Sequence, residues 1–413
     1  MGNFQTNQPI SQQQFLCLKK GQERRITAGH LWVFSNEIDQ QKTPLKVFSA
    51  GDYAVLLSYS GKTLGLVYVN PHSLICARLL SRKADFEFNH SFIKHRINIA
   101  LSLREKIFAK PFYRLVYGES DFLPGLVIDR YGDNFVVQIT TAGIESVKDE
   151  VTLALKKIFN PRLILYRNDT NSRKLENLEQ YKEVAFSSDG LESEPESINL
   201  ELIENECRFA IDVFNGQKTG WFYDHRVNRG SLQKYVKDKK VLDLFSYVGG
   251  WGVTMANAGA SEVTCVDSSA HALSMAEQNA KLNQCSQLST IESDAFEFLK
   301  TCRAERRKFD VVIVDPPAFI KRKKDLKKGT QAYFQLNKMA MQLCHKDAIL
   351  VSASCSHHLA KQELIKIITQ ASGHIDRDCQ IIETGQQGPD HPIHPAIPET
   401  EYIKSYICRV LLR

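Results

Sequence analysis

The order of apolar and polar positions divides the chain into three textures. Over residues 13–85 the apolar runs are short and lie between turn residues. "DYAVLLSYSGKTLGLVYVN" predicts two strands around a Ser-Gly-Lys turn. Over 86–210 the pattern is mixed. "SFIKHRINIALSLREKIF" spaces its apolar residues as a helix does, whereas "LPGLVIDRYGDNFVVQITT" predicts two strands joined by a Gly-Asp-Asn turn. The last part, within 211–413, alternates strand and helix. Its predicted strands are "KKVLDLF", "SEVTCVD", "QLSTIES", "DVVIVD" and "AILVSAS". Helical patterns such as "SAHALSMAEQNAKLN" and "TQAYFQLNKMAMQLC" separate them. That alternation implies parallel strands with crossover helices on both faces, an α/β fold. Two last strands, near "DCQIIETG" and "YIKSYICRVLL", are placed to close the sheet as a hairpin.

Length and composition bound this picture without changing it. A chain of 413 residues suggests two or three domains, and 43% apolar with 24% charged residues suits a soluble globular protein. No apolar run approaches the roughly 20 residues needed to span a bilayer, so no membrane association is expected. The polar start "MGNFQTNQPISQQQF" lacks the apolar core of a secretory signal. Gly2 and Thr6 fit a loose myristoylation pattern, and a disordered end over residues 1–12 is the plainer expectation. "SSDGLESEPESINL" reads as an acidic loop or hairpin tip. Ten scattered cysteines with no C-x-x-C suit a reducing cytosol and a cytoplasmic location. The net charge of +6 permits a polyanionic partner. In "KKGQERRITAGHLWVF" the basic Lys19, Lys20, Arg24, Arg25 and His30 lie beside Trp32 and Phe34. This mixture suits a nucleic-acid surface, or else a solvated edge of a small barrel.

Candidate chemistry gathers at predicted strand ends. "VLDLFSYVGGWG" places Asp243 at the end of one strand, followed by Gly249 and Gly250 in a tight turn. Ligands of open α/β sheets bind beyond such ends, and glycine lets them approach the backbone. The turn is not G-x-G-x-x-G, so a dinucleotide pyrophosphate site is poorly supported. The next strand ends at Asp267, roughly 20 positions on, where an acid is placed for ribose hydroxyls. The third leads into "SDAFEFL", whose Asp294 is placed to accept from an adenine amino group. Each acid alone also reads as a helix cap or solvated loop. Together, without a Walker lysine, they suit a cationic, unphosphorylated adenosine ligand, and S-adenosylmethionine fits that description.

The fourth strand ends "VDPPAFIKRKKDLKKG". Asp315 precedes Pro316 and Pro317, whose locked φ angles stiffen the loop, and Phe319 is placed to stack on a planar base. A rigid strand exit without a ligand is the alternative. Lys321 to Lys328 hold six basic residues in eight, among them Lys321, Arg322 and Lys323, in reach of phosphate. The fifth strand delivers "VSASCSHH", with Val351 to Ala353 as strand and Ser354 to His358 as its exit loop. Cys355 there could be a small core residue, a metal ligand or a nucleophile. No cysteine pair accompanies it, so metal is not expected. Its place among polar residues beyond the apolar run argues against burial, and a nucleophilic thiolate fits best. His358 is expected to cap the following helix. His357 is left open between tuning the thiolate and contacting RNA.

Several long motifs in one order now permit a comparison. "RRITAGHLWVFSNEI", "LPGLVIDRYGD", "GQKTGWFYDHR", "VLDLFSYVGG", "DPPAF", "SCSHH" and "HPIHPAIPETEYIKSY" span almost the whole chain. The chain resembles the bacterial 23S ribosomal RNA large-subunit methyltransferase I family. The resemblance implies a PUA-like RNA-binding β-barrel over 13–85 and a central α+β domain over 86–210. It implies a Rossmann-like class I methyltransferase domain over 211–413. It implies transfer of a methyl group from S-adenosylmethionine to cytosine C5 of 23S rRNA, with no membrane or metal, and leaves a homodimer open. It carries the nucleophile onto Cys355 and the substrate-loop acid onto Asp315. Cofactor contacts fall on Asp243, Phe245, Tyr247, Gly249, Asp267, Ser268, Asp294, Ala295 and Asp315, with Lys218, Thr219, Asp224 and Arg226 bordering the site. Val248 stands where the family usually has threonine, and Trp251 where it usually has phenylalanine.

The chemistry explains the need for a thiolate. Cytosine C5 is a poor nucleophile. Thiolate attack at C6 makes it enamine-like, a carboxyl beside N3 stabilises the adduct, and a base then removes the C5 proton so that the cysteine leaves. Two other readings stand beside this one. A methyltransferase acting on a base nitrogen would need no cysteine, and a non-catalytic RNA-binding assembly factor would need neither acid nor cofactor.

Overall fold

A computed structural model describes residues 14–85, 87–191 and 195–413. The expected disorder over 1–12 and the Gly2–Thr6 pattern lie outside these residues, as do positions 192–194 of the acidic stretch. The described residues form two compact units, one from those within 14–107, Arg114–Pro195 and Ile393–Pro398, the other from Phe108–Tyr113, Glu196–Pro392 and Glu399–Arg413.

In the first unit, strands Phe15–Cys17, Tyr53–Leu57, Thr63–Val69, Ile75–Ser81 and Trp32–Phe34 lie side by side in that order. Tyr53–Leu57 and Thr63–Val69 pair antiparallel, with Tyr53 opposite Tyr68 and Leu56 opposite Gly65. A Cβ on Gly65 would sit 2.1 Å from the Ser81 carbonyl oxygen, so only glycine allows the strands to approach there. Leu16, Leu18, Val33, Leu56 and Val67 are fully buried between them. Not all of "KKGQERRITAGHLWVF" is extended, because Glu23–Thr27 is a short helix that buries only Ile26. A second sheet runs Tyr181–Ser187, Leu163–Asn168, Asn134–Ile139, Leu126–Tyr131, Phe112–Tyr117. Helix His90–Ile107, as its periodicity predicted, packs on helix Lys148–Phe159.

The second unit is built on a seven-stranded sheet. Its strands are β1 (Lys240–Leu244), β2 (Glu262–Asp267), β3 (Leu288–Glu292), β4 (Phe309–Val314), β5 (Cys344–Ser354), β6 (Arg377–Gly385) and β7 (Lys404–Leu412). The order is β3-β2-β1-β4-β5-β7-β6. Strands β1 to β5 are parallel. Strands β1, β2, β4 and the second half of β5 are apolar and mostly buried, as burial on both faces requires, whereas the edge strand β3 (LSTIE) has no buried residue. Helices α1 (Gly250–Asn257), α2 (Ala270–Leu282), α3 (Ala295–Ala304), α4 (Leu326–Gln342) and α5 (Lys361–Gly373) make the crossovers. The two closing strands pair antiparallel as expected. They do not form a tight hairpin at the edge, because β7 inserts between β5 and β6 and is reached through residues 386–403. Strand β5 continues one residue further than expected, through Ser354. No helix among the described residues is long and apolar enough to cross a membrane.

Beside this sheet, hairpin Asn199–Glu204 and Cys207–Asp212 presents Glu204, whose carboxylate is inaccessible to solvent. It accepts from Arg229 Nε at 2.7 Å, Arg226 Nε at 3.1 Å and Trp221 Nε1 at 3.0 Å. Removing one partner of a buried ion pair leaves the other charge uncompensated. Glu204→Ala should therefore lose about 3–5 kcal/mol of stability, read as a lower denaturation midpoint at unchanged m-value.

Candidate functional site

At the carboxyl end of β1, the chain turns through Phe245 (φ 61°), Tyr247 (φ 50°) and Gly249 (φ 80°) before α1 begins. Left-handed φ is costly for bulky residues and tends to persist where surrounding bonds enforce it. Here the Tyr247 amide donates to Asp267 Oδ2 at 2.9 Å, and its hydroxyl accepts from the Gln217 amide at 2.9 Å. The second Asp267 oxygen accepts from the Ser269 amide. Asp267 at the end of β2 thus holds the Gly-rich turn in shape. Asp243 is fully buried, and its Oδ2 accepts from the Gly252 amide at 2.9 Å. A Cβ on Gly252 would meet Cys265 Sγ at 2.2 Å, so this approach also requires glycine. Burial pushes the Asp243 carboxyl well above its usual range, and the charges of Asp315 and Asp267 add to the shift. Its Oδ1 has no hydrogen-bond partner.

That orphaned oxygen is the test of fit for a cofactor. A buried, unpaired carboxyl oxygen at a strand end is costly unless a donor meets it. Asp243, the strained turn and Asp267 line one edge of the sheet, as an adenosine ligand requires. Asp294 is exposed and its Oδ1 caps α3, accepting from the Phe296 and Glu297 amides. Ala295 behind it is buried and Ser268 is exposed.

Asp315 follows β4 and is held from two sides. Its Oδ2 accepts from Trp251 Nε1 at 3.0 Å, and its Oδ1 lies 3.4 Å from His225 Nε2. Asn228 Nδ2 donates to His225 Nδ1 at 3.1 Å and to the Gln386 carbonyl at 3.1 Å. With the amide oriented by the Gln386 contact, the tautomer of neutral His225 that completes this bond accepts at Nδ1 and carries its proton on Nε2, the nitrogen nearer Asp315. Next to His225, buried Asp224 accepts from the Tyr402 hydroxyl at 2.5 Å and lies 3.9 Å from Lys218 Nζ. Burial alone would raise its carboxyl. Lys218, His225, His391 and the Tyr402 hydroxyl outweigh that and hold it well below the usual carboxylate range.

Beyond β5, Ser354 Oγ donates to the Tyr333 hydroxyl at 2.9 Å, which meets Ser356 Oγ at 2.9 Å. The Ile320 amide donates to Ser356 Oγ, and Lys404 Nζ donates to the Ser356 carbonyl at 2.8 Å. Cys355 is therefore held between two anchored serines, and only partly buried. Of the ten cysteines, only it and Cys379 are not fully buried. Burial raises its thiol, opposed by Lys218 and reinforced by the Asp315 and Asp224 carboxylates. Lys404 is buried, and desolvation brings its ammonium down to about 8.

The structure brings Cys355, Asp315, Asp224 and Lys218 into one electrostatic neighbourhood. Thr219 is fully buried beside Lys218. Pro316 is buried, Pro317 is exposed, and Phe319 packs on Tyr333 at 4.8 Å between ring centres, near Phe245 and Phe296. Lys321, Arg322 and Lys323 are exposed and lead into the first turn of α4, where positive charge opposes the helix dipole. Arg226 is committed to Glu204 and the Phe112 carbonyl. Arg25 forks onto Glu37 at 2.9 Å, so its charge is neutralised, while Arg24 is exposed. His358 does not cap α5. The N-cap is Ala360, without a side-chain bond, and His358 is exposed. His357 lies against the Tyr402 ring. His225, Tyr402 and Lys404 were missed in the sequence. Only "YDHR" and "YIKSY" carried them, and nothing in their spacing marked a shared site. Among the described residues, no group of three or more His, Cys, Asp or Glu side chains is placed to hold a metal ion.

A family model described as S-adenosylmethionine-dependent methyltransferase matches residues 168–361, and one described as PUA-like domain matches 16–82. Among solved structures, a methyltransferase complexed with SAH aligns at TM-score 0.80 with 19% identity, covering 96% of this chain and all of that one. A SAM-dependent methyltransferase from Streptococcus mutans aligns at 0.79. The fold and these matches define an S-adenosylmethionine-dependent methyltransferase with a PUA-like domain. Two relatives, from Aliivibrio fischeri and Klebsiella pneumoniae strain 342, are 35% and 33% identical over 401 residues. They cover 96% of this chain and 99% and 98% of their own lengths, and both are named ribosomal RNA large subunit methyltransferase I. The chain belongs to the ribosomal RNA large subunit methyltransferase I family.

Proposed function

We propose that this chain methylates C5 of a cytosine in 23S rRNA, in the cytoplasm, through a covalent adduct between Cys355 Sγ and C6 of the base. The observation that carries the reading is Cys355, a partly buried thiol on a fixed loop beyond β5, sharing the field of Asp315 beyond β4. S-adenosylmethionine supplies the electrophilic methyl group when bound, with Asp243, Phe245, Tyr247, Gly249 and Asp267 proposed to hold it. Asp294 would hold the adenine and Ser268 the ribose side. The target base leaves its stack to enter the site, as base-modifying enzymes require. Phe319 and the stiff Pro316–Pro317 turn support its plane, and Lys321, Arg322 and Lys323 contact the flanking phosphates. Asp315 meets the ring at N3. Lys218 and Thr219 border the nucleophile. The PUA-like domain supplies affinity and orientation.

The thiol must lose its proton before attack, and Lys404 is proposed to accept it. Lys404 Nζ is tethered to the residue after Cys355, and at about 8 its conjugate acid is within reach of neutral pH. The acceptor form is the neutral amine, so kcat should rise with pH through about 8. Lys404→Met should remove that limb and shift the profile toward the higher value of the raised Cys355 thiol, lowering kcat near pH 7 by about 10²–10³. An unshifted pH profile in the variant would remove Lys404 from the mechanism.

The function as a whole is tested with ribosomal RNA from a strain lacking the gene. Labelled methyl should enter one cytosine, mapped by mass spectrometry. RNA carrying 5-fluorocytosine should leave a stalled protein–RNA adduct, because fluorine cannot depart as the C5 proton does. Methyl found on a ring or exocyclic nitrogen, with no adduct, would replace this reading by the nitrogen-methylating one.

A further inference from the structure

The first unit contains a cavity of about 570 Å³ that none of the chemistry above uses. Three cations line it, Arg82, Lys83 and Arg96, together with Phe122, His394 and Gly29. None of the three cations has a carboxylate partner among the ion pairs of the described residues. Arg82 Nη2 donates to the Ile26 carbonyl at 3.1 Å and Arg96 Nη2 to the Leu80 carbonyl at 3.3 Å. Arg96 Nε is buried without a partner. Glu119, the acid whose field reaches His394, is bound by Trp32 Nε1 at 2.9 Å. Unpaired guanidinium beside a cavity favours an anion.

The aromatic wall adds a second requirement. Phe122 is 42% exposed and adopts φ 58°, a conformation expensive for a bulky side chain. Arg96 lies 5.4 Å over its ring and His394 meets it edge-on at 5.7 Å. A partly exposed aromatic ring next to cations is how single-stranded nucleic acid is held, one base on the ring and its phosphate on the charge. The volume falls in the range of roughly 300–1,000 Å³ typical of ligand pockets.

We propose that this cavity holds one unstacked nucleotide of an RNA strand, its base against Phe122 and its phosphate against Arg82, Lys83 and Arg96. The inference rests on the reading that this chain works on RNA. It names an RNA-binding position separate from that of the target cytosine.

The test uses the full chain and a fluorescent 18-nucleotide single-stranded RNA carrying 4-thiouridine. Phe122→Gly is the informative variant, because glycine accepts the left-handed backbone and the fold should persist. S-adenosylmethionine affinity by calorimetry checks that. Removing one base–aromatic stack should weaken RNA binding about tenfold or more. Arg82→Gln and Lys83→Gln should each flatten the dependence of log K on log salt, by about 0.7 for each phosphate no longer neutralised. Photocrosslinks should map to the peptide bearing Phe122. Affinity within twofold of wild type in Phe122→Gly, or crosslinks wholly elsewhere, would overturn the proposal. If rRNA methylation by wild type is then intact, only the pocket assignment fails. If RNA crosslinks at Phe122 but no methyl is transferred, the function reading fails and the pocket stands. A wild-type chain that binds no RNA defeats both, and binding of AMP alone, without an effect of these substitutions on RNA, defeats the pocket.

Discussion

Cys355→Ala is expected to abolish methyl transfer to RNA, by about 10³-fold or more, while S-adenosylmethionine still binds. The size follows from what the thiol would do. Without an adduct at C6, C5 has no enamine character, and no neighbouring group can substitute for a covalent bond. The fold should hardly notice. The loop is fixed through Ser354, Ser356, Tyr333 and Lys404, none of which depends on Sγ. Cys355 is also only partly buried, so truncation opens no large cavity. Cys355→Ser should be nearly as inactive, because a hydroxyl holds its proton far more tightly than a thiol. The measurement is single-turnover transfer of labelled methyl, with thermal melting and cofactor titration on the same protein. Transfer by Cys355→Ala at the wild-type rate would sink the covalent mechanism and favour a nitrogen target.

What could be read from the chain depended on whether the signal was local. The parallel sheet was legible because β1, β2, β4 and β5 carry short apolar runs and each strand is followed by its own helix. The placement of Asp243, Asp267 and Asp315 at the strand ends was legible for the same reason, since strand ends of such a sheet share one edge whatever the rest does. The insertion of β7 between β5 and β6 was not legible, because antiparallel pairing through residues 386–403 leaves no periodicity to follow. Lys404 was hidden with it. A lysine at the start of a strand reads as solvated, and only its pairing opposite Ser354 buries it beside the cysteine loop. Arg226 and Arg25 show the reverse error of charge reading. Each lies in a motif that suggests a ligand, yet Glu204, 22 positions before Arg226, and Glu37, 12 positions after Arg25, take up their guanidinium groups. The helix at Glu23–Thr27 was missed because five residues are too few for periodicity to register. His358 looked like a cap by position alone, but the helix starts two residues later than a cap there would require.

Asp315→Asn should lower kcat by about 10²–10⁴-fold with little change in KM. The substitution keeps shape and loses the acidic proton, so it isolates what the carboxyl does. Its surroundings resist the amide. Trp251 Nε1–H donates to Asp315 Oδ2, His225 Nε2 lies 3.4 Å from Oδ1, and Asn228 favours the Nε2–H tautomer of neutral His225. An asparagine can turn its oxygen to one donor only, so its NH₂ opposes the other, and an amide has no acidic proton to give N3 as thiolate addition at C6 builds negative charge there. Trp251→Phe is the matching control. It installs the residue the family usually carries and removes one neutral donor, at a cost of about 1 kcal/mol or tenfold at most. If the tryptophan bond only positions Asp315, the phenylalanine variant keeps its pH profile while kcat falls slightly. Should Asp315→Asn instead raise KM and spare kcat, the carboxylate would be holding the base in its ground state rather than supporting the adduct.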